Sequence, residues 1–295
     1  MKITFKTFLL EGGAATAKFE TSRANKRDIE KALKIVSDAL DIGDLHDDLL
    51  GSTNLTLSGH KEDSGDIDIA IDSEEIPMKE AHRRMMALTN NMGTMNMGTK
   101  IGSYAVDVGS KKVQVDLMFV NSKSWAKFIY HSAQGDKSEY PGVVRNLLLQ
   151  AVARNKHEPG KDFIIKKDNK LIARASRAIK LDVGLERLFK LAAKNKKGEY
   201  TDTMNKIQPA NLAAAAKDIS GKNIKFSHDP DIINDPDLVA QWLFGSEVTA
   251  NDIMSAEQVI DQIKKLDNAQ QIIDDAVASL KKNKQPIPSE LTNEI

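Results

Sequence analysis

The stretch that most constrains this chain is GDIDIAI, residues 65–71, where acid and isoleucine alternate. Strict alternation is the period of a half-buried strand, because successive side chains leave a strand on opposite faces. Asp66, Asp68 and Ala70 therefore share one face, and Ile67, Ile69 and Ile71 the other. Aspartate is a poor strand former, and two carboxylates on one strand face repel each other. Such a pair is stable where a positive charge sits between its members, and a divalent cation supplies one. The spacing thus predicts a metal site on a sheet.

The rest of the composition sets the setting for that site. A chain of 295 residues, 41% hydrophobic and 28% charged, can bury a sizeable core as one large or two ordinary soluble domains. It has no cysteine, which excludes disulfides and thiolate metal ligands and fits a reducing compartment. No apolar run is long enough to span a membrane, and no secretory hydrophobic region is present. Net charge is zero but uneven: residues 141–200 hold fifteen Lys/Arg against six Asp/Glu, a net of +9, and residues 229–295 hold five against thirteen, a net of −8. A basic middle leaves room for a polyanion, although balanced solvated helix faces give the same count.

Residues 25–40 read as an amphipathic helix, with Ile29, Leu33, Val36 and Leu40 at helical spacing and Asn25 as its cap. The acidic loop around His46 reads as a solvated turn. After the DIDIAI strand, Pro77 opens a helix running to about residue 91, and the glycine-punctuated residues 90–103 read as a loop. Residues 104–108 and 113–120 form a β-hairpin. On its second strand Val113, Val115, Leu117 and Phe119 take one face, while Gln114, Asp116, Met118 and Val120 take the other. Asp116 is a lone acid in an apolar strand and calls for a partner, whereas Asp107 near the turn reads as a solvated edge residue.

From about residue 140 the pattern predicts helices, at 143–154, 181–194, 211–219, 236–244, 255–266 and 268–282. Short strands are expected around 163–165 and 171–172, and residues 285–295 read as a frayed tail.

Three features then combine: Gly51-Ser52 after the apolar Leu50, a thirteen-residue spacer to Asp66-Ile67-Asp68, and a third strand acid, Asp116, about fifty residues on. This set is similar to the signature of the DNA polymerase β-like nucleotidyltransferase superfamily, over roughly residues 28–120. One detail departs, because Ser64-Gly65 precedes the first acid where a serine often stands directly before it. The resemblance implies an α+β fold, a nucleotidyltransferase-type mixed sheet with flanking helices followed by an α-helical domain. It divides the chain into a tail (1–24), a catalytic core (25–130) and a helical domain (131–295).

The resemblance further implies that Asp66, Asp68 and Asp116 bind two Mg²⁺ ions, with Asp116 as general base, and that Gly51 and Ser52 cradle the triphosphate of an NTP. Two ions about 4 Å apart stabilise both the attacking and leaving oxygens of an in-line displacement. On the following segment Ser132, Lys137 and Arg145 are candidate nucleotide contacts, with Tyr130 and His131 beside them and Tyr140 a candidate for stacking on a base. Arg174, Arg177, Lys180 and Arg187 are candidates for gripping phosphate or an RNA backbone. The acceptor is an RNA 3′ end such as tRNA, with a protein or small molecule as alternatives.

The N-terminal MKITFKTFLLE, residues 1–11, resembles the capsid-targeting sequences of internal head proteins in T-even-like tailed phages, with Leu9-Leu10-Glu11 as the cleavage motif before Gly12. It implies a phage protein of the host cytoplasm, packaged in the virion, and motivates a rival reading: a packaged binding or scaffold protein that uses the fold without catalysis. In the plainest alternative, Asp66 and Asp68 keep an edge strand soluble, and Asp116 is a hydrogen-bonded core acid.

Overall fold

The computed structural model describes residues 19–131, 133, 138–156, 163–167, 170–221 and 232–292. In chain order the elements are β1 (Ala24–Asn25), α1 (Lys26–Leu40), α2 (Gly51–Leu57), β2 (Asp63–Ser64), β3 (Ile67–Asp72), α3 (Met78–Leu88), β4 (Gly93–Asn96), β5 (Ile101–Asp107), β6 (Lys112–Val120), α4 (Lys123–Ile129) and α5 (Gly142–Asn155). They continue with β7 (Phe163–Lys167), β8 (Lys170–Lys180), β9 (Gly184–Lys194), β10 (Tyr200–Lys206), α6 (Pro209–Ser220), α7 (Pro236–Phe244), α8 (Ala256–Ile263) and α9 (Ala269–Lys282). The chain is thus mixed, with helices packed on separate sheets.

The first layer pair follows from the two periodicities. Helix α1 starts at a capping box, in which Asn25 accepts from the Asp28 N–H and the Asp28 carboxylate accepts from the Asn25 N–H, both at 3.0 Å. Its Ile29, Leu33 and Val36, with Ala81 and Met85 of α3, pack on Ile67, Ile69 and Ile71 of β3 and on Val113, Val115, Leu117 and Phe119 of β6. The sheet they cover has the order β3-β6-β5-β4; β3 runs parallel to β6, and the other pairs are antiparallel. Because strand faces alternate, burying the isoleucines turns Asp66, Asp68 and Asp116 toward the opposite face. There Leu50, Ala70, Met118, Val120 and Ala126 form a small second cluster beside them.

Residues 90–103, expected as a loop, contain β4 and the start of β5. The glycines make room for one ring. A Cβ on Gly93 would lie within van der Waals overlap of the Tyr104 ring carbon Cδ1, and one on Gly102 would come 2.5 Å from the Tyr104 hydroxyl. Tyr104 is fully buried across them and its hydroxyl meets His82 Nδ1 at 2.9 Å. Glycine here marks close packing within a strand pair rather than a flexible link.

The C-terminal portion departs from the expected helical domain with two short strands, because β7 to β10 form a four-stranded antiparallel sheet in the order β10-β9-β8-β7. Residues 181–194, predicted helical from Leu185, Leu188, Phe189 and Ala192, run mostly as strand β9. All four side chains are buried, Leu185 and Phe189 on one face and Leu188 and Ala192 on the other. A strand buried on both faces loses its alternation and mimics a helical stripe. Helix α6 sets Leu212 against Ala173, Ala175 and Phe189 of this sheet.

Around the sheet, α4, α5, α7, α8 and α9 share a large apolar core. The Trp125 indole N–H ties α4 to the β8–β9 turn by donating to the Lys180 and Leu181 carbonyls at 3.0 Å. The tail is not frayed as far as residue 291: Ile287 and Leu291 pack onto that same core. Among the described residues no helix is long and apolar enough to cross a membrane. The capsid-targeting resemblance at residues 1–11 lies outside the described residues.

Candidate metal centre

Local geometry delivers the acids to one point. Strand β3 is the sheet's edge on the β6 side, and its Asp68 stands directly opposite Asp116 in the parallel ladder. Parallel neighbours lie about 4.8 Å apart, so the two carboxylates emerge side by side. Asp66, one step before β3, emerges on the same face, and one oxygen from each of the three acids lies within 4.8 Å of the others. The free edge of β3 is closed by the chain leading into α2: Leu49 bridges to Ile69, and the Leu50 N–H donates to the Asp68 carbonyl at 3.0 Å. That contact sets Gly51 against the site, where a Cβ would stand 3.4 Å from the Asp68 carboxylate. Gly51 also holds φ of +56°, a left-handed backbone that favours glycine.

Three supporting residues were not apparent in the sequence. Thr53 Oγ1 donates to the Asp66 carbonyl at 3.2 Å and accepts from the Asp68 N–H at 3.1 Å, fixing the strand entry. Gln114 Nε2 reaches both Asp116 oxygens, at 3.0 and 3.1 Å, and the Ser103 hydroxyl also bonds that carboxylate. Gln114 precedes Asp116 by two residues on one strand, so the face alternation already placed it there; nothing in residue type alone marked it as a partner. Ser52, an expected phosphate contact, pairs its hydroxyl with that of Ser64 at 3.0 Å.

Electrostatics distinguish this cluster from a soluble strand edge. Asp116 is 8% exposed, and Asp66 and Asp68 are half-buried. Burial, with the negative charge of Asp66 adding to it, pushes the Asp116 carboxyl up to about 6 despite its bonds to Ser103 and Gln114. Burial raises Asp66 as well, and the charges of Lys61 and Arg23 do not offset it. Asp68 is held well above the ordinary carboxylate range by burial and then by Asp66 and Asp116, with no cation among the described residues acting in the other direction. Desolvated carboxylates with one another for neighbours are stable when a cation is shared among them. The donor set is all carboxylate oxygen, which suits Mg²⁺, Mn²⁺ or Ca²⁺ over softer metals.

Beside Gly51 lies a cavity of about 330 Å³, lined among others by Leu50, Asn54, Lys127, His131 and Asn251. It sits between α2, α4 and the 250–254 segment, and is of the size that small ligands occupy. Tyr130 is half-buried at its edge of the site, its hydroxyl raised by burial and then by the charges of Asp68 and Asp182.

Other sequence candidates fall elsewhere. Arg145 is 1% exposed: its guanidinium donates to the carbonyls of Phe128, Ile129 and Met254 and to Asn146 Oδ1, so it holds the C-terminal core together and does not face the acids. The resemblance placed Arg145 at the nucleotide by its position after the core, and the buried stripe of α5 draws it inside. Tyr140 packs on the same core and its hydroxyl donates to Glu290 at 3.4 Å. Arg177 and Arg187 are buried opposite one another on β8 and β9, and Arg177 lies 5.4 Å from the Trp242 ring. Asp107 is exposed and accepts from the Gly109 N–H, as a turn residue does. Ser132 and Lys137 lie outside the described residues.

Comparison with protein-family models, with curated proteins and with solved structures finds no match for this chain.

Proposed function

We propose that the protein is a Mg²⁺-dependent nucleotidyltransferase that moves a nucleoside monophosphate from an NTP to an acceptor hydroxyl, releasing pyrophosphate. The observation that carries this reading is the convergence of Asp66, Asp68 and Asp116 from neighbouring parallel strands, with one oxygen each inside 4.8 Å. Behind it stands the likeness, in order and spacing, of Gly51-Ser52, Asp66-Ile67-Asp68 and Asp116 to the polymerase β-like signature. Asp66, Asp68 and Asp116 would hold the Mg²⁺, which when bound supplies charge neutralisation at the phosphoryl oxygens.

The chain's own groups have separable tasks. Phosphoryl transfer depends on positioning and charge more than on covalent chemistry. Gly51, without a Cβ, leaves the space over Asp68 open for a phosphate, and the adjoining cavity is large enough for a nucleoside. Asp116, held near 6 by burial, is matched to take a proton from an acceptor hydroxyl around neutral pH. Gln114 and Ser103 keep that carboxylate oriented.

The test is incubation of the protein with each of the four α-labelled NTPs, Mg²⁺ and total tRNA. Label transferred to RNA, and lost in Asp66→Ala and Asp68→Ala, supports the assignment. Failure to bind NTP in the presence of Mg²⁺ would remove it.

A further inference from the structure

The surroundings of the triad differ from one end of β3 to the other. The cations whose charge reaches Asp66 are Lys61 and Arg23, whereas among the described residues no cation reaches Asp68 or Asp116. Beyond Asp68 the same face turns apolar, where Ala70, Met118, Val120 and Ala126 pack beside Tyr130. The cavity next to Gly51 is walled by Lys127 and Phe128 of α4, the helix that also carries Ala126, and so belongs to this second end. One end of the site is thus cationic, and the other is apolar and hollow.

Backbone geometry places both cations. Strands β1 and β2 pair Ala24 with Ser64 and Asn25 with Asp63, a register that sets Arg23 across from Gly65, the residue before Asp66. Arg23 Nε donates to the Asp63 carboxylate at 2.9 Å, which orients the guanidinium. Its Nη1 lies 3.5 Å from the point where a Cβ on Gly65 would stand. Gly65 has no side chain, and leaves the approach to Asp66 to that guanidinium. Lys61 comes from the turn after α2, which folds back on its helix. The N–H groups of His60 and Lys61 both donate to the Leu55 carbonyl, at 2.9 and 3.2 Å, and Ser58 Oγ donates to the Asn54 carbonyl at 2.9 Å. The Ser52–Ser64 hydroxyl pair ties this helix to β2. Both cations are exposed, and so open to a ligand. The basic stretch of the sequence, by contrast, is drawn into the second sheet, where Arg174 donates to the buried Ser176 at 3.0 Å.

This polarity matches a nucleoside triphosphate, which is anionic at one end and carries a planar base at the other. In the proposed transfer the acceptor oxygen bonds to the α-phosphorus. The bond from that phosphorus to the bridging oxygen breaks, and its electron pair departs with pyrophosphate. Negative charge therefore grows on the pyrophosphate side, where fixed cations stabilise it.

We propose that Lys61 and Arg23 hold the β- and γ-phosphates of the NTP on the Asp66 side of the triad, with the nucleoside lying toward Gly51 and the cavity. The assignment rests on the nucleotidyltransferase reading and fixes which way round the substrate lies.

The experiment is calorimetric titration of the full chain with Mn²⁺ alone and then, at saturating Mn²⁺, with inorganic tripolyphosphate. Hydrogen bonds between charged groups carry about tenfold in affinity, so Lys61→Gln will weaken tripolyphosphate binding by about that factor and the Lys61→Gln/Arg23→Gln double variant by more. Lys61→Arg will retain it. Mn²⁺ alone will bind these variants at least as tightly as the natural sequence, because a positive charge that repels the ion has gone. A merely structural role would weaken both ligands together. If the double variant does not fold, the exposed Lys61→Gln decides. Unaltered tripolyphosphate affinity in Lys61→Gln, parallel loss of both ligands, or a larger loss in Lys127→Gln at the cavity would each overturn the proposal. NTP binding undiminished in the variants overturns this assignment alone. A Mn²⁺-loaded natural sequence that binds neither tripolyphosphate nor any NTP overturns the nucleotidyltransferase reading with it.

Discussion

Asp68 and Asp116 stand opposite one another in the parallel β3–β6 ladder, and among the described residues neither has a buried cation for company. Their placement on the face opposite the isoleucine core is a direct result of strand alternation. It makes the metal-free protein electrostatically strained at neutral pH, and that strain can be measured.

The first prediction concerns pH. A carboxyl whose native pKa is raised stabilises the fold fully below its unfolded value, near 3.8, and that contribution is lost as pH climbs through the native value, about 6 for Asp116. The metal-free protein will therefore lose stability from about pH 4 to pH 7, by on the order of 3 kcal/mol for a shift of this size. Urea unfolding in a chelator at several pH values measures it. Added Mn²⁺ will restore stability most at the upper end of that range.

Removing one charge will oppose stability to function. Asp68→Asn takes away a carboxylate that burial and two acids disfavour. Its metal-free melting temperature will exceed that of the natural sequence at pH 7, while Mn²⁺ will no longer raise it. Differential scanning calorimetry with and without the ion reads both effects.

Gly51 separates backbone strain from site geometry. Gly51→Ala places a Cβ 3.4 Å from the Asp68 carboxylate at a φ of +56°, whereas Gly59→Ala, at +83°, meets nothing within 4 Å. Each will cost about 1–2 kcal/mol from the left-handed backbone. Loss of Mn²⁺ affinity, followed by calorimetric titration, will accompany the substitution at Gly51 and spare the one at Gly59.

Arg145 will prove structural. Burial lowers its pKa to about 9, which leaves it charged at neutral pH, with its N–H groups spent on interior carbonyls. Arg145→Ala strands those carbonyls and will destabilise by on the order of 3 kcal/mol or more. Mn²⁺ affinity of the folded fraction will be unchanged.

How far the sequence could be read depended on whether polar residues mark the faces of a segment. Helix α1 and strand β3 alternate visibly, and β6, though buried on both faces, sets Gln114 and Asp116 together on one of them, so the shared side of Asp66, Asp68 and Asp116 was plain. Strand β9 buries both faces, and its apolar Leu185, Leu188, Phe189 and Ala192, falling at helical spacing between charged residues, read as a helix. The glycines at 93 and 102 read as loop because nothing in residue type shows that both make room for the Tyr104 ring, which lies two residues beyond Gly102 on β5 and across from Gly93 of β4. Arg145 is expected at the nucleotide only from its place in the chain after the resembled core. Its ring of carbonyls comes from residues as far apart as Phe128 and Met254 and has no local signature. The supports Thr53, Ser103 and Gln114 were missed for the same reason, since a hydroxyl or amide acquires a role only once register brings it to a carboxylate.

The most direct measurement is anomalous scattering from crystals grown with Mn²⁺ and a non-hydrolysable NTP analogue. The account predicts a manganese peak about 2.1 Å from oxygens of Asp66, Asp68 and Asp116, at the distance of hard oxygen coordination. A triad without a peak, or manganese bound only elsewhere on the protein, would contradict it.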